Sequence, residues 1–138
     1  MKATWYFIFV FSAFASLTQL DFAFAHGENV LGPNGGHIRM PGAFHTELVQ
    51  TSDQGFKVFL LDVDWKNPVT SNSAVEARLR IKRSEQSIPC EVKSNYFDCT
   101  IPKGLSLKSA KAITIKAKRE EMQGSLVIYA LPLKLSAM

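Results

Sequence analysis

The chain has 138 residues, with 16 Lys or Arg against 12 Asp or Glu, and 46% of it is apolar. That length suits one domain and leaves no room for a multidomain enzyme. Neither G-x-x-x-x-G-K-[ST] nor G-x-G-x-x-G occurs, so the sequence holds no phosphate-cradling loop of the nucleotide-binding kind.

The first element is a leader. Phe7, Phe9, Phe11, Phe14, Phe22 and Phe24 crowd the first 24 residues. Lys2 precedes an apolar run from Ala3 to Leu17. That run is shorter than the roughly 20 residues a bilayer span needs. Ala23-Phe24-Ala25 follows as an A-x-A cleavage signal. Residues 1–25 therefore read as a secretory signal peptide and 26–138 as a single exported domain, periplasmic or secreted. Export argues against nucleic acid as a partner.

Residues 26–36 are rich in Gly, Pro and Asn and read as an N-terminal arm. Beyond them the period is two. Phe44, Thr46 and Leu48 alternate with His45, Glu47 and Val49. Phe56, Val58 and Leu60 alternate with Lys57, Phe59 and Leu61, a strand apolar on both faces. Val75, Ala77, Leu79 and Ile81 alternate with Glu76, Arg78, Arg80 and Lys82, and Ile113, Ile115 and Ala117 with Thr114, Lys116 and Lys118. Gly124 to Leu133 is a last apolar strand. Turn signals stand between them at Pro41-Gly42, Asp53-Gln54-Gly55, Asn67-Pro68 and Pro102-Lys103-Gly104. This spacing predicts an all-β fold, a Greek-key β-sandwich of seven to eight strands, immunoglobulin-like or cupredoxin-like. The expected interior holds Val75, Ala77, Leu79, Ile81, Ile113, Ile115, Leu126 and Ile128.

Two cysteines, Cys90 and Cys99, flank a hairpin centred on Ser94-Asn95. In that register 93 faces 96, 92 faces 97, 91 faces 98 and 90 faces 99. The two thiols then lie opposite each other, and an oxidising compartment joins them as a disulfide. The spacing is not C-x-x-C, so neither a redox pair nor a zinc pair is indicated.

Charge is sorted along the chain. Residues 26–64 carry two basic side chains against five acidic, whereas 65–138 carry thirteen against six. Residues 100–119 hold six Lys or Arg and no acid. Such a segment suits an anionic lipid, lipopolysaccharide or wall polymer. The positive residues follow the outward period-two positions, however, which favours the solvent faces of strands kept from edge pairing by Lys.

All three histidines, His26, His37 and His45, sit in the acidic third. With cleavage after Ala25, His26 offers an α-amine and an imidazole that chelate one metal together. Met40 follows His37 closely, and His45 and Glu47 share one strand face about 7 Å apart. A turn at Pro41-Gly42 brings His37 back towards His45, with the register deciding the face. Imidazole, thioether and carboxylate suit copper or zinc.

Gly32-Pro33-Asn34-Gly35-Gly36, followed by Phe44-His45-Thr46-Glu47-Leu48, resembles small exported bacterial metal-handling proteins and periplasmic segments associated with copper or heavy-metal efflux. The resemblance spans residues 26–62. It implies a periplasmic domain handling copper or a related metal, with His26, His37, His45 and Glu47 at the matching positions.

The resulting expectation is a non-enzymatic protein that buffers, delivers or senses copper or zinc through His26, His37, His45, Met40 and Glu47, beside an envelope or metal-efflux protein. The alternative is a metal-free sandwich that docks an envelope partner or an anionic surface through its basic C-terminal half. A small copper oxidase using the His26 chelate is a third reading.

Overall fold

A computed structural model of the chain describes residues 30–135. The expected signal peptide and His26 lie outside the described residues. The period-two stretches form strands, as alternation of apolar and polar side chains requires when one sheet face is buried. The strands are β1 (His37–Arg39), β2 (His45–Ser52), β3 (Gly55–Leu61), β4 (Ala74–Ile81), β5 (Ser84–Ile88), β6 (Cys90–Val92), β7 (Phe97–Thr100), β8 (Ala112–Arg119), β9 (Met122–Gln123) and β10 (Val127–Ala130). A 3-10 turn at Leu107–Ser109 precedes β8.

Two antiparallel sheets face each other. The first runs β1-β2-β3-β7-β6, and the second runs β10-β8-β4-β5 with β9 paired to β8. Hairpins alternate between the sheets, so β2-β3 and β6-β7 lie in one and β4-β5 and β8-β10 in the other. Within this arrangement β2-β3-β7-β6 and β10-β8-β4 follow the order A-B-E-D and G-F-C of an immunoglobulin-like sandwich, with β1 and β5 as added edge strands. The chain changes sheet at Pro89, between β5 and β6. Proline has no N–H to offer either ladder, so it suits that corner.

The core lies between the sheets. Phe44, Leu48, Phe56, Val58 and Leu60 meet Ala77, Leu79, Ile113, Ile115, Val127 and Tyr129. Val75 and Ile81, near the ends of β4, are only partly buried against it. A second, smaller cluster of Ile38, Phe59 and Leu61 lies on the outer face of the first sheet, with Trp65 and Tyr96 packed over it. This explains why β3 is apolar on both faces.

The predicted phase of the last strand is corrected. Leu126 and Ile128 are 55% and 46% exposed, while Val127 and Tyr129 point inward. Gly124 to Leu133 contains no charged residue, so alternation there offered no charged side chain to set the phase. A polar contact selects it instead: Tyr129 Oη lies 2.6 Å from Thr46 Oγ1 and donates to Thr46 O at 3.0 Å.

The Cys90–Cys99 disulfide is present, with an S–S distance of 2.06 Å. The register is the expected one, pairing Cys90 with Cys99, Glu91 with Asp98 and Val92 with Phe97. Lys93 N–H closes the turn on Tyr96 O at 2.9 Å. Two further hairpin turns lack the usual Asn or Gly. Lys82 has φ 52, and Glu120 and Glu121 have φ 45 and 71. Left-handed conformations there match the twist of the flanking strands.

Candidate functional site

Glu47 lies on the outer face of β2 and is fully buried. Its Oε1 accepts the N–H of Asn34 at 2.8 Å and of Gly36 at 2.9 Å, and Oε2 accepts Asn34 Nδ2 at 2.8 Å. The Gly32–Gly36 loop thus wraps one carboxylate. Gly35 turns the loop at φ 77. A Cβ on Gly32 would fall 2.6 Å from Glu47 Cδ, and one on Gly36 would fall 2.6 Å from Leu48 O. The glycines are required because backbone must approach carboxylate and strand this closely. The two halves of the Gly-Pro-x-Gly-Gly and Phe-His-x-Glu-Leu motif therefore meet as a clamp within the chain. Three of the roughly four lone-pair sites of Glu47 are occupied by it.

His45 shares that outer face but is also buried. Its Nδ1 lies 3.1 Å from Asp62 O, and its ring meets Trp65 edge-on at 6.0 Å. Asp62 organises the next loop. Its Oδ1 accepts Asp64 N–H and Lys66 N–H, and its Oδ2 accepts Asn67 Nδ2. These bonds, the one from Lys66 above all, hold the Asp62 carboxyl below the usual carboxylate range.

His37 is not brought to His45. β1 pairs with β2 so that His37 faces Leu48, Ile38 faces Glu47 and Arg39 faces Thr46. His37 therefore shares the inner face of the sheet with Thr46 and Leu48, while His45 and Glu47 are on the outer face. A shift of one residue would have reversed this. Burial first, then the Arg39 cation, lower the His37 pKa below its ordinary 6.5. Met40 lies beyond β1 and is exposed. Among the described residues no three His, Cys, Asp or Glu side chains cluster as a metal site. No buried side-chain nitrogen or oxygen there lacks a partner.

The other concentration of chemistry was not visible as a unit in the sequence. Ile101 N–H bonds Gln54 O, and Leu107 N–H bonds Asp53 O, which fastens the 101–107 segment to the β2-β3 turn. Lys111 N–H bonds Arg80 O, and Leu131 N–H bonds Lys111 O. The β4-β5 turn, the segment before β8 and the chain after β10 thereby gather at one end of the sandwich. Lys82, Arg83, Lys103, Lys111 and Lys134 are exposed there. None of the five makes an ion pair among the described residues. The two carboxylates nearby are already engaged, Asp53 with Lys108 at 2.9 Å and Glu85 with Arg80 at 3.1 Å. The basic run 100–119 was a partial signal of this end. The structure divides that run, sending Lys116 and Lys118 to the outer face of the second sheet and burying Arg119. The Arg119 guanidinium donates to Leu60 O and Asn67 O and pairs with Glu120.

The opposite end carries Asp62, Asp64, Glu120 and Glu121. Arg119 reaching Leu60 O and Glu120 N–H reaching Ser73 Oγ hold those segments together. Glu120 pairs with Arg119 and Glu121 with Lys118, and Lys66 stands in the Asp62 loop, so acids and cations are mixed at that end. No family model, curated protein or solved structure matches the chain.

Proposed function

We propose that the chain is an exported, metal-free binding module that docks, without turnover, on an anionic lipid surface of the envelope through the cationic end of its sandwich. The observation that carries this reading is the convergence on one end of five exposed cations, from separate segments, that are unpaired among the described residues. They sit on turn tips and a terminal segment, an arrangement suited to a surface and not to a chain threaded through a groove. Leu135, 43% exposed next to Lys134, adds an apolar contact. The Cys90–Cys99 disulfide supports an oxidising compartment.

Each Lys or Arg near an anionic leaflet contributes about 1 kcal/mol. Co-sedimentation with vesicles of anionic phospholipid, beside vesicles of neutral phospholipid, tests the reading. Binding is expected only to the anionic vesicles, and the triple variant Lys82→Glu, Arg83→Glu, Lys111→Glu should abolish it. Equal binding to both vesicles, or an unaffected triple variant, would overturn it. Copper or zinc retained in stoichiometric amount by the mature chain from a chelator-free preparation would put metal buffering through His26 ahead.

A further inference from the structure

The three donors that hold the Glu47 carboxylate come from Asn34 and Gly36. Asn34-Gly35, at the centre of that loop, is the one Asn-Gly step in the sequence. Asparagine is a chemically labile residue. It is most so before glycine, where no side chain screens the following backbone nitrogen. We propose that Asn34 is a self-modification site, deamidated by the backbone nitrogen of Gly35 at a rate set by the Glu47 clamp.

The reaction needs no partner but water. Gly35 N attacks Asn34 Cγ, the Cγ–Nδ2 bond breaks, and the proton of Gly35 N leaves with Nδ2 as ammonia. One water then opens the cyclic imide, at either carbonyl, to aspartate or isoaspartate. In the closed loop both reacting groups are held elsewhere. Gly35 N–H donates to Gly32 O at 3.0 Å, and Asn34 Nδ2 donates to Glu47 Oε2 at 2.8 Å. Both bonds must break before nitrogen and Cγ can meet, so only the opened loop reacts. Asn34 itself is exposed, so water reaches the imide as it forms.

The product cannot close the clamp again. A carboxylate then stands where Asn34 Nδ2 lay against the fully buried Glu47. Two carboxylates in contact cannot both stay ionised. Isoaspartate also lengthens the main chain where there is no slack, since even a Cβ on Gly36 would fall 2.6 Å from Leu48 O. A reversible opening of the Gly32–Gly36 loop thereby becomes a one-way release of the arm from β2.

Mass spectrometry of the mature, oxidised chain in mildly alkaline buffer, below its melting temperature, tests this. A peptide of residues 30–38 is the unclamped reference. Asn34 should exchange NH2 for OH, partly as isoaspartate, at least about tenfold more slowly than in the peptide. Glu47→Gln keeps the side chain's shape but sets its NH2 against that of Asn34, and should speed the exchange towards the peptide's rate. Circular dichroism checks that this variant keeps its sheets; if it does not, the native-to-peptide ratio and the next variant decide. Asn34→Asp, made directly, should melt at least about 4 °C below the native chain. Equal rates in the native chain and the peptide, a folded Glu47→Gln chain no faster than the native one, or an Asn34→Asp chain that melts with the native would each overturn the proposal.

Discussion

Glu47 shows how a residue chosen for metal chemistry can be explained by backbone chemistry. A buried carboxylate is tolerated when hydrogen bonds replace its water, and here three N–H donors do so. Glu47→Ala leaves those donors facing a void. It should lower unfolding free energy by about 2–4 kcal/mol in urea titration, with the same effect in the presence of a chelator. A loss that appears only when metal is present would restore Glu47 as a ligand. His37 supports a prediction of sign. Its pKa is lowered in the fold, so the unfolded chain takes up the proton first. Its contribution is intact above pH 6.5 and is lost as pH falls through 6.5 towards the lower folded value. His37→Gln should flatten that part of the stability profile, and an unchanged slope would assign it to another group.

At the scale of elements, the hairpin of β6 and β7 is the most local part of the fold. Its strands are joined by four residues, and the disulfide closes a loop with a sequence separation of 9. Loop-closure entropy for such a loop is worth about 2.5 kcal/mol. Cys90→Ser with Cys99→Ser should lower the stability by about that amount without changing the sheet content seen by circular dichroism. Mass spectrometry of unreduced protein should show two hydrogens fewer than the reduced chain, and two free thiols would refute the bond. β10 is the contrasting element. Its inward residues are selected by Thr46, 83 positions away, which reaches Tyr129 across the sandwich.

For the molecule as a whole, where the cations gather matters more than net charge. A net charge of +4 by itself indicates solubility. Cations gathered at one end, where Asp53 and Glu85 are already paired, present Lys82, Arg83 and Lys111 to an anionic surface, whereas at the other end Glu120 and Glu121 are paired with Arg119 and Lys118. The expected vesicle binding should weaken steeply as salt rises, because exposed cations are screened within about 8 Å at physiological ionic strength. Binding insensitive to salt would point to Leu135 and its neighbours as the contact. Arg78 and Arg80 belong to a different class of cation, since both are paired with Glu76 or Glu85 on the outer face.

What was legible in advance rests on neighbours in sequence. Alternation from Phe44 to Ala117 announces strands because the pleat repeats every two residues. The facing of Cys90 and Cys99 follows from counting outward from one turn. The arm at 26–36 was recognisable as irregular, yet Glu47 as the partner of its Gly32–Gly36 part was not. The remainder depends on pairings distant in sequence. Which face His37 takes is set by the β1-β2 register, and a single-residue slip exchanges the faces. The uncharged run 124–133 could have buried either set of side chains, and contact with Thr46 chose Tyr129. The cationic end exists only after two hairpin turns, the β7-β8 connection and the chain after β10 have been folded to one pole. Sequence proximity sets local geometry, whereas charge and ligand positions meet in space through pairings that no short window contains.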